Sequence, residues 1–407
     1  MTKRYVFTAL FAAAGIVSLI IFYTYVNRTV SAYEKMMFET VAGDENVIDD
    51  VTISGILYSD RTSNSISISK ANTDVSPQSI LNMNSMFYMY SAAEMRLEEL
   101  QQEYRSFMRG KRNVNNLYED EDFLVYGELS SSEIDKKVKW DARISFYDKA
   151  KDKEWNFSVA LPSDFNIQSV DIYDVQMYGQ DVILTLAAEE SETESIWRVS
   201  VNMSQKNIKD SSLIFSLDKD MATDEEGEYQ QNYFNMNEGL TGSAWMTKAK
   251  YIPFSLSKRE ESGNETIIYG HQFFVINNES GELSEVKLAE ETIIDSNVFV
   301  DQENIYYLEK KTGTVYKYHV EDGSSEFILQ HDALVNYNYS HLFELSNNNL
   351  YLLANGRYTG EEIENKVIDF YVLDLNNGQE MYHGKMDYSE LENVYFDFSF
   401  IYPKRFD

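Results

Sequence analysis

Hydrophobic and polar positions alternate with a period of two along most of this chain. Residues 65–70 read SISISK, with Ile66 and Ile68 on one face and serines on the other. Residues 394–402 read VYFDFSFIY and place Val394, Phe396, Phe398 and Phe400 on one face. A period of two is the mark of a half-buried strand. From Phe123 onward such runs follow one another, separated by glycine and polar turn residues. The pattern predicts an all-β chain built of short antiparallel strands.

One region breaks the alternation. From residue 76 to residue 110 the apolar positions recur at spacings of three and four: Met83, Met86, Tyr90, Ala93, Leu97, Leu100, Tyr104 and Phe107. That spacing predicts a helix with one apolar seam. Ser76 reads as its N-cap, Pro77 as its first residue and Gly110 as its stop. The seam has two readings. It packs on its own domain, or Met83, Met86, Tyr90, Leu97, Leu100, Tyr104 and Phe107 form a binding face for a partner helix.

The strand runs also repeat. FYVLDLNNGQEMY (370–382), VYKYHVEDGSSEF (315–327) and QFFVINNESGELSEV (272–286) each join an aromatic strand to a second strand through a polar turn. Those turns end in Gly378, Gly323 and Gly281, where a hairpin wants a positive φ. Weaker copies lie at 143–157 and 195–207. With Tyr147, Val199, Ile276, Tyr318 and Leu373 as equivalent positions, the unit is about 40–50 residues. The acidic stretch 218–228 reads as an inserted loop in the longest interval.

These units resemble quinoprotein-like and YVTN-type β-propeller repeats, whose blades often read VYVLD…G. The resemblance covers roughly residues 123–385 and implies a fold, not an activity or a cofactor. The closing arrangement follows from the unpaired ends. The strand at 394–402 has none after it, and the strands at 51–59 and 65–70 lack a first one before them. One blade shared between the termini would remove both edges. The expectation is a β-propeller of six blades, within a range of five to seven, occupying 51–407 with a helical insertion at 76–110. A pair of packed sandwiches is the alternative architecture.

The N-terminus has a different character. Residues 5–26 form a stretch of 22 without a charge, preceded by Lys3 and Arg4. Such a stretch is long enough to cross a bilayer, and the flanking charge puts its start in the cytoplasm. Residues 1–28 are therefore expected to be a short tail and a transmembrane signal anchor, and 29–50 a juxtamembrane linker. The competing reading is a signal peptide cleaved after Ala32. On the anchor reading nearly the whole chain lies outside the cell membrane.

Charge and composition narrow the chemistry. A formal net charge of -32 repels nucleic acid phosphates and excludes nucleic acid as a partner. Aromatic residues make up 14%, too many for an acidic disordered chain. Zero cysteines exclude disulfides, a thiolate nucleophile and cysteine-ligated metal.

Three short patterns are reminiscent of a serine acyl-enzyme: SLSK (255–258), SGN (262–264) and KTG (311–313). No helical pattern surrounds Ser255, and Lys311-Thr312-Gly313 falls where a hairpin between 305–309 and 315–320 needs its turn. The five histidines, His271, His319, His331, His341 and His383, are scattered singly. The acidic runs 118–122 and 224–228 lack calcium-loop spacing and read as solvated surface.

No catalytic, cofactor or metal residue is therefore assigned. The sequence points to a membrane-anchored extracytoplasmic binding or assembly module of a bacterial envelope, working with an envelope or membrane protein partner. Two alternatives stand beside it. One is an envelope glycan hydrolase with paired carboxylates in a central funnel; the other is a ligand sensor acting through a membrane partner.

Overall fold

The computed structural model describes residues 15–18, 36–59, 62–77, 92–134, 137–162, 167, 169–190, 193–218, 221–223, 229–235, 246–262, 265–288, 296–301, 304–335, 342–354, 366–391 and 394–403. Nearly all of them lie in antiparallel strands. In chain order, β1 (Glu39–Gly43) precedes β2 (Val51–Ser59), β3 (Thr62–Ser69) and β4 (Thr73–Pro77). Helix α1 (Ala92–Glu103) follows. Sheet II is β5 (Leu117–Glu119), β6 (Phe123–Ile134), β7 (Lys137–Asp148) and β8 (Lys153–Ala160). Sheet III is β9 (Ser169–Tyr178), β10 (Asp181–Glu189), β11 (Thr193–Asn202) and β12 (Asn207–Asp218).

Sheet IV has five strands, β13 (Met221–Thr223), β14 (Tyr229–Asn235), β15 (Tyr251–Ser262), β16 (Glu265–Asn277) and β17 (Leu283–Val286). Sheet V is β18 (Ser296–Asp301), β19 (Asn304–Glu309), β20 (Thr314–Tyr318) and β21 (Ser325–Gln330). Sheet VI joins β22 (Leu342–Ser346), β23 (Asn349–Ala354), β24 (Val367–Asp374) and β25 (Glu380–Asp387) to β1 on its outer edge. Sheet I is shared between the ends of the chain. The last strand, β26 (Val394–Pro403), pairs with β2, and β3 and β4 continue outward.

The shared sheet is the pairing of terminal strands that the strand pattern called for. Phe396 lies opposite Leu57, and Ile401 opposite Ile53. The five repeat positions Tyr147, Val199, Ile276, Tyr318 and Leu373 fall on β7, β11, β16, β20 and β24. β7, β11, β16 and β20 each have one strand of their sheet outside them, and β24 has two, β25 and the added β1. The hairpin glycines adopt the expected conformation, with φ of 75° at Gly281, 70° at Gly323 and 72° at Gly378.

Consecutive sheets pack face to face because their strands are apolar on both sides. In sheet V, Tyr306 and Leu308 join Leu350 and Leu352 of sheet VI, whereas Ile305 and Tyr307 join Val275 of sheet IV. Val125 and Phe146 of sheet II meet Val175 and Leu184 of sheet III. Tyr173 and Ile196 of sheet III meet Phe254 of sheet IV. Phe370 and Leu353 of sheet VI meet Leu57 and Phe396 of sheet I. Among the described residues, five boundaries are thus dry sheet-on-sheet contacts.

The boundary between sheets I and II differs. The face of sheet I turned away from sheet VI carries Thr52, Ser54, Ser63, Ser65, Ser67 and Asp397 beside Ile56, Tyr58 and Tyr402. Helix α1 lies on the free face of sheet II instead. Its Ala93, Leu97 and Leu100, with Phe107 just beyond it, pack on Leu117, Leu124 and Tyr126.

Several expectations are corrected. Ser76 and Pro77 do not begin a helix. They end edge strand β4, opposite Ser65 and Asn64, where a residue without an N–H is tolerated. The described helix starts at Ala92 and ends at Glu103, followed by turns that reach Gly110 at a φ of 84°. The stretch 29–50 is not wholly a linker, because β1 pairs with β25 and both Met36 and Ile48 are buried. The stretch 218–228 is not simply a loop, since β13 within it pairs with β14.

The expected membrane span lies outside the described residues apart from 15–18, which are helical. Among the described residues, no helix is long and apolar enough to cross a membrane.

Candidate functional site

A cavity of about 1010 Å³ opens on the side carrying the turns between the first two strands of sheets II, III and VI. Sheet II contributes Glu119, Asp120 and Glu121, and sheet III contributes Tyr178, Asp181, Arg198, Lys209 and Asp210. Glu279 comes from the β16–β17 turn of sheet IV, and Asn347 from the β22–β23 turn of sheet VI. The wall is completed by Thr247, Lys248 and Lys250, which lead into β15.

That last segment makes the cavity a cup. The amide of Glu119 donates to the carbonyl of Met246 on one side. On the other, the Gln176 amide group donates to the carbonyl of Thr247 at 3.0 Å and accepts from the amide of Ala249 at 3.0 Å. Tyr178 and Asn278 both donate to the Ala249 carbonyl, each at 2.8 Å. Residues 246–250 therefore run from the first strand of sheet II across that of sheet III to sheet IV. Met246 accepts a φ of 68° to make the crossing.

Much of the cup's charge is already paired. The Glu119 carboxylate, with its side chain 1% exposed, is held by Arg96 of α1 through two hydrogen bonds of 2.9 and 2.7 Å. Lys149 adds a third bond at 2.8 Å. Burial alone would raise the Glu119 pKa; the bonds and charges of Arg96 and Lys149 outweigh it and hold the group below the ordinary carboxylate range. Arg96 also bonds Glu99 at 2.9 Å, and Glu99 accepts from the Tyr402 hydroxyl of β26 at 3.0 Å. This chain of charges fastens α1 to sheet II and to the shared sheet.

Asp120 caps its own turn, accepting from the amides of Asp122 and Phe123 and from the Tyr118 hydroxyl. Asp181 is occupied by Lys209 and Asn202. The acidic run 118–122 is thus not simply solvated surface, because Tyr118 and Glu119 are among its most deeply buried residues.

The cations are less committed to carboxylates. Arg198, only 8% exposed, donates from Nε to the Asn278 carbonyl at 3.2 Å and from a terminal nitrogen to the Glu279 carbonyl at 2.8 Å. Its closest carboxylate oxygen, on Asp210, is 3.8 Å away. The stem packs so tightly under Gly281 that a Cβ there would sit 2.8 Å from the Arg198 Cδ. The Lys248 ammonium stands 5.4 Å from the centre of the Tyr178 ring.

Near the cup, on β9, burial pushes the Asp174 carboxyl up to about 7. One of its oxygens is buried without a hydrogen-bond partner, and the other accepts from Gln176 at 3.2 Å.

The residues singled out in the sequence fare variously. Leu97, Leu100 and Phe107 are buried under sheet II's free face, and Tyr104 is half-buried with its ring 5.0 Å from that of Tyr147. The described part of the seam is covered by the chain's own sheet; Met83, Met86 and Tyr90 lie outside the described residues. Ser255 is fully buried in β15, and Gly313, at a φ of 66°, closes the β19–β20 turn. His319 lies 3.5 Å from Glu326, while His331 and His383 flank Tyr371. His271 and His341 have no described side chain. No group of metal-binding side chains occurs among the described residues.

No protein family and no curated protein matches the chain. Among solved structures it is similar to the β-propeller domain of the Trilobed protease from Pyrococcus furiosus, at 12% identity and a TM-score of 0.30, over 65% of this chain and 68% of that one. It is also similar to an acylaminoacyl peptidase, at 11% identity and a TM-score of 0.30, over 65% of this chain but only 38% of that chain. A WD40 domain of SCAP from fission yeast matches over 88% of this chain and 89% of that one, at 8% identity and a TM-score of 0.23. Likenesses this slight carry no argument about activity.

Proposed function

We propose that the six sheets are the six blades of one propeller, closed by the shared sheet, and that it serves as a binding or assembly module of a bacterial envelope. In this reading residues 5–26 anchor the chain in the cell membrane and the propeller stands outside, beside an envelope or membrane protein partner. The observation that carries the binding role is the cup itself. Turns from four sheets converge on one cavity of about 1010 Å³, and the crossing segment 246–250 supplies one of its walls. Ligand sites in rings of sheets form where such turns converge.

Two measurements test the reading. Protease added outside intact cells, with the outer wall removed, should degrade the β-rich part and leave only a fragment containing the anchor. Full protection would overturn the location. A photoreactive group at position 248 in the membrane-bound protein should cross-link to a discrete species, and Tyr178→Ala should weaken that product. Cross-linking unchanged by Tyr178→Ala would remove the cup as the binding place.

The hydrolase alternative has Asp174 as its candidate proton donor, a carboxyl that burial raises to about 7 but that does not line the cup. It requires a second carboxylate to act with Asp174. Asp174→Asn should abolish glycan cleavage under that reading and leave partner binding intact under the first.

A further inference from the structure

We propose that the cup takes the C-terminal carboxylate of a peptide, with Arg198 as its anchor and Lys248 as its second cation; this rests on the binding-module reading. The argument begins with what Arg198 lacks. A guanidinium carries five N–H donors, and two of its nitrogens here each donate to a main-chain carbonyl. Carbonyls fix its plane, and only loose pairing offsets its charge: the carboxylate of Asp210 is 3.8 Å away and largely exposed, and Asp181, whose carboxylate Arg198 also helps stabilise, is bonded to Lys209. A buried cation with only loose counter-charges is costly, and a carboxylate offered from the cup would lower that cost while filling the fork.

Lys248 strengthens the case. Its ammonium rests over the Tyr178 ring, and the Tyr178 hydroxyl is tied to the Ala249 carbonyl. The ring is therefore fixed, and the ammonium it supports lines the same cavity as Arg198.

The surroundings select the kind of anion. Glu119, Asp120, Asp181 and Asp210 share the cavity, so a dianion such as phosphate meets more repulsion than a singly charged carboxylate. The segment 246–250 spans the cup, bonded to Glu119 on one side and to Gln176, Tyr178 and Asn278 on the other. A polymer that cannot thread past it must enter by an end. A peptide C-terminus offers both the end and the single carboxylate.

Calorimetric titration of the full-length protein in detergent at low salt tests this. The probes are acetyl-Ala-Ala-Ala with a free carboxylate, the same peptide as its C-terminal amide, and inorganic phosphate. The acid should bind, and the amide should bind at least about tenfold more weakly, as expected for loss of a charge-assisted fork. Lys248→Ala, at an exposed side chain, should weaken the acid about fivefold without lowering the melting temperature. Arg198→Gln should abolish binding; if that variant does not fold, Lys248→Ala alone decides.

Equal binding of acid and amide, binding insensitive to Lys248→Ala, or phosphate displacing the peptide at equal concentration would each overturn the proposal. So would no binding of the acid at millimolar concentration. In that case the module reading still stands or falls separately on cross-linking at position 248.

Discussion

Two boundaries flank sheet I, and they are built from different materials. On one side Phe370 and Leu353 press on Leu57, Phe396 and Phe398 in a dry apolar contact. On the other, the face of sheet I is rich in serine and threonine, and helix α1 with its charges joins it to sheet II. A hydroxyl-bearing face cannot be buried dry without partners for its oxygens. The difference teaches that the sheet shared between the chain's two ends is locked by apolar burial toward sheet VI and by polar bonds toward sheet II. The second lock is the one that pH and single polar substitutions can reach.

The largest expected effect is on the apolar side. Phe370→Ala should cost about 3–5 kcal/mol, because a fully buried ring leaves a cavity that packed sheets cannot fill. Chemical denaturation reads it, and a loss below 1 kcal/mol would erase the distinction between the two boundaries. Glu119→Gln should come next, at about 3 kcal/mol, by leaving Arg96 and Lys149 without their shared carboxylate. Hydrogen exchange should show amides of α1 losing protection before those of sheet III. Uniform loss across all sheets would mean that the helix is not a separate lock.

The two unusual carboxyls should respond to pH in opposite senses. Glu119 has a lowered folded pKa, so its contribution is present above the ordinary carboxylate range and is lost as acid is added through the lowered value. Asp174 has a folded pKa raised from 3.8 to about 7, so its contribution is full below 3.8 and is lost as pH rises through about 7. Melting temperature against pH should therefore flatten between pH 4 and 7 in Asp174→Asn. The deficit of Glu119→Gln should shrink only at more acidic pH. The smallest effect is expected from Tyr402→Phe, which removes one hydrogen bond to Glu99 and should cost about 1 kcal/mol.

The succession of antiparallel sheets along the chain was legible because period-two alternation and hairpin glycines are local signals. Val394, Phe396 and Phe398 announced a strand in need of partners, and β2 supplied them. The serine face of residues 65–70 was equally visible, although its consequence was not, since alternation says which face is polar and not what stands opposite. Three features escaped. Strand β1 has all five side chains exposed, so it carries no alternation to detect. Glu119 sits in an acidic run, and its burial depends on Arg96 and Lys149, 23 and 30 residues away in sequence. The segment 246–250 is held by main-chain groups and amide side chains that no periodic pattern marks. The cup was illegible for the same reason: its walls come from turns spread between Glu119 and Asn347.

Strand β1 also has a mechanical consequence. It is held to sheet VI along one edge, by pairing from Glu39 with Lys385 to Gly43 with Tyr382, and its side chains are exposed. Tension applied from the N-terminal side would first meet Met36, which is buried and accepts from the Thr73 hydroxyl of β4, and Phe38, packed on Phe370, and only then the pairs from Glu39 onward. Releasing five residues lengthens the tether by about 17 Å, at roughly 3.4 Å for each. Pull from that end therefore falls on sheet VI through β1 and on the shared sheet through Met36 together, so the two sheets carry the load as one.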